Sequence, residues 1–252
     1  MKTAEQYYDS LGLDKYNFTV EEANAIKDYY NFCSTNGLEG DGSNIMPIEE
    51  ENFPDMMEYM KENHPNICLL WGDGNSNWAG VFYKGLLRGK VTFLSHEEPT
   101  ILPLFKSIVS AVEKFKERKV WDFLYPSVNE RPYIYDYPVS SDNPISESEK
   151  TENLALAKSF LATLPDLSKK SEEDYEAHCQ AAMTAAYLLP SENVQLLYPM
   201  LVCGNMYVEQ DIPYIFSFHK DKNALPALHD ATDRGSIYVK DSILRAIKMI
   251  DE

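Results

Sequence analysis

Ile67-Cys68-Leu69-Leu70-Trp71-Gly72-Asp73-Gly74-Asn75-Ser76-Asn77-Trp78-Ala79-Gly80-Val81-Phe82-Tyr83 decides the fold class. Ile67 to Trp71 is apolar at every position, as in a strand covered on both faces. Gly72 to Asn75 is turn chemistry, with glycines for left-handed backbone and Asp and Asn for local side-chain bonds. Trp78 to Tyr83 is again rich in aromatic and β-branched residues, so the stretch predicts two strands that reverse on a tight turn. Gly85-Leu86-Leu87-Arg88-Gly89 supplies a second turn, and Lys90 to Leu94 a third strand.

The flanks predict helices. Thr19 with Glu22 forms a capping box, which starts a helix running to about Thr35. Asn36-Gly37 ends it, because both residues tolerate the left-handed C-cap. Gly40-Asp41-Gly42-Ser43 is a turn-rich loop, and Ile45 to Ile48 a short strand. Phe53, Met56, Met57 and Met60 recur at helical spacing over Phe53 to Glu62, which reads as a core stripe. After Pro99 a helix is expected from about Ile101 to Lys119, with Leu104, Ile108, Val112 and Phe115 on its apolar face. Lys114, Lys116, Arg118 and Lys119 complement the dipole of its last turns.

Residues 119–149 differ in kind. Pro126, Pro132, Pro138 and Pro144 recur every six residues among Trp121, Phe123, Tyr125, Tyr133, Tyr135 and Tyr137. Proline forbids long helices there, and the aromatics argue for a packed connection between domains. From Thr151 onward helices are expected at 152–163, 172–189, 192–203, 212–219, 223–233 and 237–250. Ser171 and Ser191 serve as N-caps, and Pro165 and Pro190 as stops. The last two helices flank Asp233-Arg234-Gly235-Ser236, and Val239, Ile243, Ala246, Ile247 and Ile250 form one apolar face of the final one. Two amphipathic helices on a short polar turn resemble a HEAT-type repeat unit.

Composition narrows the function. The 252 residues carry 40 acids against 23 bases, a net charge of −17, which repels nucleic acid and anionic membranes and attracts basic partners. The densest stretch is Glu39 to Glu62, with eight acids and one lysine. The first residues show no apolar signal-peptide core and no apolar run is long enough for a bilayer, so a cytoplasmic protein is expected. Cys33, Cys68, Cys179 and Cys203 form no CxxC pair and read as buried thiols, so neither disulfide nor metal is expected.

Catalytic motifs are missing: there is no P-loop, GxGxxG, GxSxG or HExxH. Asp73-Gly74-Asn75-Ser76-Asn77 starts like a calcium loop, but Trp78 and Lys84 stand where that loop needs glycine and glutamate. His96-Glu97-Glu98 is the most enzyme-like cluster, since histidine beside carboxylates suits acid–base work. Acids before a helix start are also favoured electrostatically, so the same residues fit a structural corner. His178-Cys179 falls within a predicted helix with no second ligand pair, and His64 before Pro65 reads as loop punctuation.

Taken in order, Leu69-Leu70-Trp71-Gly72-Asp73-Gly74, Gly80-Val81-Phe82-Tyr83, Gly85 and Gly89 within Lys84 to Val91, and His96-Glu97-Glu98-Pro99 resemble the SUKH superfamily. That group includes the fungal Smi/Knr-type regulators and many bacterial immunity proteins. Asp28-Tyr29-Tyr30-Asn31-Phe32, Asn36-Gly37 and Met46-Pro47-Ile48 extend the resemblance over about residues 20–118. It implies an α+β fold, a single twisted mixed or antiparallel sheet packed by helices, as a domain of residues 1–118. The connection 119–149 and an all-α HEAT-like domain 150–252 would follow. It also implies a protein-binding role, the neutralising of a basic, nuclease-type toxin domain, with no cofactor. A regulatory adaptor binding through the helical half is the second reading, and an enzyme using His96, Glu97 and Asp73 the third. Partner contacts are expected among Glu39, Asp41, Glu49, Glu50, Glu51, Asp55, Asp73, Asn75 and Trp78.

Overall fold

A computed structural model describes residues 2–96, 101–124, 135–138, 143–162, 172–234 and 237–252. Glu97, Glu98, Pro99, Tyr125, Pro126, Pro132, Tyr133, Pro165, Ser171 and the turn residues Gly235-Ser236 lie outside them, as does the side chain of His178.

The fold is α+β, built on five antiparallel strands in sequence order: β1 Met46–Pro47, β2 Ile67–Gly72, β3 Trp78–Phe82, β4 Val91–Leu94 and β5 Pro103–Phe105. All four pairings are antiparallel, which settles the mixed-or-antiparallel alternative. β2 is buried from Ile67 through Trp71, as its unbroken apolar run requires. Its register against β3 shifts between Leu69 and Trp71, so Leu70 is the extra residue of a bulge.

Helices α1 Ala4–Ser10, α2 Val20–Asn36 and α3 Phe53–Asn63 belong to the same half. The Thr19 hydroxyl accepts from the Glu22 amide and the Glu22 carboxylate accepts from the Thr19 amide, closing the expected box. Gly37 caps the other end in the left-handed region, φ 59°. Thr3 and Gln6 form a second capping box for α1. In α3 the expected stripe holds in part, with Phe53 and Met60 buried and Met56 and Met57 half-buried.

The stretch after Ile101 departs from the expected single helix. Pro103 to Phe105 pairs with β4 through Val91–Phe105 and Thr92–Pro103. An edge strand has one unpaired side and tolerates proline. Helix α4, Ile108–Glu117, begins only where the Ser107 hydroxyl accepts from the Ser110 amide at 3.1 Å. Leu104 is therefore on a strand, while Ile108, Val112 and Phe115 are buried as expected. Lys114 and Lys116 do occupy the last turn.

Within 119–149, α5 Val120–Leu124 forms, and Asp136 bridges to Phe105. The Tyr135 hydroxyl donates to the Phe123 carbonyl. Trp71, 1% exposed, meets Tyr29 and Phe115 edge-on, with centroids 6.3 and 5.4 Å apart. Phe115 also packs on Phe105 and Phe123, so one aromatic cluster ties α2, α4, α5 and the sheet together. Edge-on geometry sets positive ring rims against negative faces.

The described residues fall into two compact units, one from 2–84, 88–96 and 103–138, the other from 85–87, 101–102 and 143–252. The second is helical: α6 Glu147–Leu161, α7 Glu172–Tyr187, α8 Met206–Phe218, α9 Leu225–Arg234 and α10 Ile237–Asp251. α6 starts earlier than expected because Ser146 accepts from the Glu149 amide. The expected helix 192–203 is a 3₁₀ helix, Ser191–Val202, and holds Pro199, which brings no N–H for the helical ladder. α8 begins at Met206, not 212, because the Asn205 carboxamide accepts from the Tyr207 and Val208 amides. α10 packs on α8 and α9. Val239, Ile243, Ala246 and Ile250 of its expected face are buried and Ile247 half-buried.

Candidate functional site

The acids singled out in the sequence separate into two places, both in the first unit. Glu49, Glu50 and Glu51 follow edge strand β1 and line an open groove of about 830 Å³. The groove is walled by Tyr7 and Ser10 of α1 and by Tyr30, Cys33 and Ser34 of α2. Leu38, Met46, Pro47 and Ile48 also line it.

Local chemistry holds this shape. The Tyr7 and Tyr30 rings stack with centroids 4.2 Å apart, so α1 and α2 meet at the groove. The Tyr7 hydroxyl donates to the Ile48 carbonyl at 2.9 Å, and the Tyr29 hydroxyl to the Ile45 carbonyl at 2.6 Å. Two tyrosines thus fasten β1 on either side, which fixes the segment that carries the acids. Burial pushes both phenols well above the ordinary tyrosine range.

The three glutamates are not equivalent. Glu49 and Glu51 are exposed; the Glu49 carboxylate accepts from the Asn52 carboxamide at 3.0 Å. Glu50 is half-buried and ion-paired with Lys2. The Lys2 ammonium holds the Glu50 carboxyl below its usual range, and a bond from Ser10 adds to the effect. Glu39 and Asp55 are exposed and do not line the groove.

The second place is the end of the sheet where β2 turns into β3. Gly74, φ 76°, approaches Gly40 so closely that an added Cβ would fall 2.3 Å from the Gly40 carbonyl oxygen. The Gly42 amide donates to the Asp73 carbonyl at 2.9 Å, so the two glycine-rich loops dock on each other. Asp41 is exposed and accepts from the Ser43 amide; Asn75 is exposed and Trp78 half-buried against Gly72.

Asp73 is turned inward, away from solvent. It is 1% exposed, and its carboxylate accepts from the Asn75 amide at 2.7 Å, the Asn77 amide at 3.1 Å and the Asn77 carboxamide at 2.6 Å. A carboxylate can only accept, so the Asn77 nitrogen faces Asp73 and its oxygen faces His96, whose Nδ1 lies 3.1 Å away. Asp73 and His96 are thus joined through an amide that organises the turn. Neither the groove nor a second cleft of about 700 Å³ near the start of α2 is lined by Asp73 or His96. Glu97, the third residue of the enzyme reading, lies outside the described residues.

The remaining motif glycines serve the backbone. Gly80 sits where a Cβ would fall 2.5 Å from Ile67 Cγ2. Gly85 and Gly89 take φ of 82° and 79° in the β3–β4 turn. That turn carries Arg88 to Glu22 at 3.0 Å, locking it to the start of α2.

Sequence reasoning missed Lys2, Tyr7 and Ser10, because a seven-residue helix ahead of the first strong periodicity gives little signal. The Thr3/Gln6 capping box was the sign available. Among the described residues no cluster of His, Cys, Asp and Glu is placed to hold a metal ion, and no helix is long and apolar enough to cross a membrane. Comparison with family models, curated proteins and solved structures yields no match to this chain.

Proposed function

We propose that this protein acts by binding a basic protein partner through its first unit, as an immunity protein that neutralises a nuclease-type toxin domain in the cytoplasm. The observation that carries the reading is the groove beside β1, with three successive glutamates on a segment fastened by Tyr7 and Tyr29. A rigid acidic surface suits a basic partner because its charges need no reordering on contact and steer the encounter. A nuclease channel is basic for its own substrate, so an acidic protein covers it by charge complementarity.

The order of motifs from Trp71 to His96 supports a SUKH-type assignment for residues 1–118, and the α9–α10 hairpin supports a HEAT-like reading of the helical part. The test is coexpression with the toxin domain encoded beside this chain's gene. Protection from toxicity and a copurifying complex whose affinity falls steeply with salt are expected. A toxin that kills equally well with and without this protein, and forms no complex, would remove the reading.

A second reading, an adaptor binding through the helical unit, draws on Leu196, Val202, Met206 and Leu244, which are exposed there. Partner binding that is insensitive to salt and to charge loss at Glu49 and Glu51, but lost on changing Leu196 and Met206 to serine, would favour it.

A further inference from the structure

We propose that the groove beside β1 is a seat for a lysine or arginine side chain of the partner, and that Lys2 is an internal competitor for it. The inference rests on the binding role proposed above and names the subsite within it.

Three features converge. The first is charge. Glu49, Glu50 and Glu51 line one wall, and the only ammonium held on them among the described ion pairs is that of Lys2 on Glu50. Glu49 and Glu51 have no such partner among those pairs and remain exposed. The second is the stacked Tyr7–Tyr30 pair, with ring planes 17° apart, Tyr7 buried and Tyr30 half-buried. A cation over a tyrosine face gains from the ring quadrupole, and the alkyl stem of a long side chain packs on the same surface. This chain already uses that contact elsewhere: the Lys27 ammonium lies 4.5 Å from the Tyr8 centroid, and its own carboxylate partner is Glu5. The third is Lys2 itself. Its ammonium shows that Glu50 accepts a lysine head group in this setting, with Ser10 beside it.

A cation already in place has a consequence. A partner lysine or arginine arriving at Glu50 must displace Lys2, while Glu49 and Glu51 can receive it at once. Removing Lys2 should therefore tighten binding, the opposite of what losing a stabilising surface pair would do. Removing Glu49 and Glu51 should weaken binding more than removing two equally exposed acids elsewhere.

The experiment uses the full chain and a labelled peptide alternating leucine and lysine, read by fluorescence anisotropy, with the lysine-acetylated peptide as control. Glu49→Gln/Glu51→Gln is expected to weaken binding about tenfold, as for loss of close charge contacts. Asp241→Asn/Asp251→Asn, which removes the same charge from two exposed acids of the helical unit, should change it by less than about threefold, the share of the general field. Lys2→Met should tighten it by about threefold or more. In the wild-type protein, amide shifts on peptide addition should centre on Tyr30, Met46 and Ile48, a readout that needs no variant. Equal weakening by the two double variants, no gain from Lys2→Met, or shifts centred on Asp41 and Asn75 would each overturn the proposal.

The two readings fail separately. A toxin still bound by the Glu49→Gln/Glu51→Gln protein would sink the subsite and leave the function standing. A peptide seated in the groove without any protection from the toxin would do the reverse.

Discussion

At Gly80 the sheet leaves no room for a side chain. A Cβ there would lie 2.5 Å from Ile67 Cγ2 and 3.2 Å from Leu69 Cδ2, both in the buried strand β2. Gly80→Ala must move packed atoms, and overpacking of this kind costs about 1–3 kcal/mol. The urea midpoint should drop accordingly, whereas Gly12→Ala, with open space around it and φ 60°, should cost only about 1 kcal/mol of backbone strain. Equal losses at both sites would mean that β2 yields. Asp73 belongs to this scale as well. Asp73→Asn sets an amide nitrogen against the Asn77 carboxamide nitrogen and breaks the relay to His96. A loss of about 1–3 kcal/mol is expected for the orphaned donor. The His96 ring resonances should shift with it, and unchanged resonances would separate the histidine from the turn. The sequence marked Asp73 as a contact residue because a carboxylate in a glycine-rich loop serves equally for display and for holding the loop. Only the direction it faces decides between them.

Elements were legible where short-range chemistry sets both ends. α2 is the clearest case, because Thr19, Glu22 and Gly37 act within four residues of the boundaries they define. Thr19→Ala removes the bond to the Glu22 amide and should lower stability by about 1 kcal/mol. Arg88 raises the stakes at Glu22, which closes the capping box and also receives the guanidinium. Glu22→Ala should therefore cost more than Thr19→Ala in the same thermal melt, and the reverse order would show that the Arg88 contact contributes nothing. β5 was not legible. Three residues containing Pro103 show no alternation, and what makes them a strand is β4 beside them. The 3₁₀ form of Ser191–Val202 was not legible for a related reason. Val194, Leu197 and Leu201 are buried with a spacing that suits either helix type, and Pro199 was the discordant residue. The groove was half legible: its acids stood out as a charge cluster, but the tyrosines that fix them come from elements remote in sequence.

Across the molecule, acidity and buried histidines act on stability in opposite directions as pH falls. His64 is 1% exposed, and burial holds its pKa down at about 4 from the ordinary 6.5. His219 is lowered to about 4 by the same cause, although Asp221 and Glu192 pull it back up. A histidine whose folded pKa is depressed binds fewer protons folded than unfolded. Its neutral form is thus favoured by folding at pH above 6.5, and that stability is lost as pH falls from 6.5 toward 4. By linkage His64 alone should account for about 2 kcal/mol lost near pH 5. Relief of self-repulsion among the net −17 charges works the other way, but carboxylates take up protons mainly near pH 4 and below. The histidine effect therefore leads over the upper part of the window. Urea unfolding followed from pH 7.5 down to about 5 should show a falling midpoint. His64→Gln should flatten that fall while lowering stability at neutral pH only to the extent that its packing is disturbed. A midpoint that rises on acidification, or a slope unchanged in the His64→Gln protein, would show that the charge field and not the buried imidazole governs stability in this range.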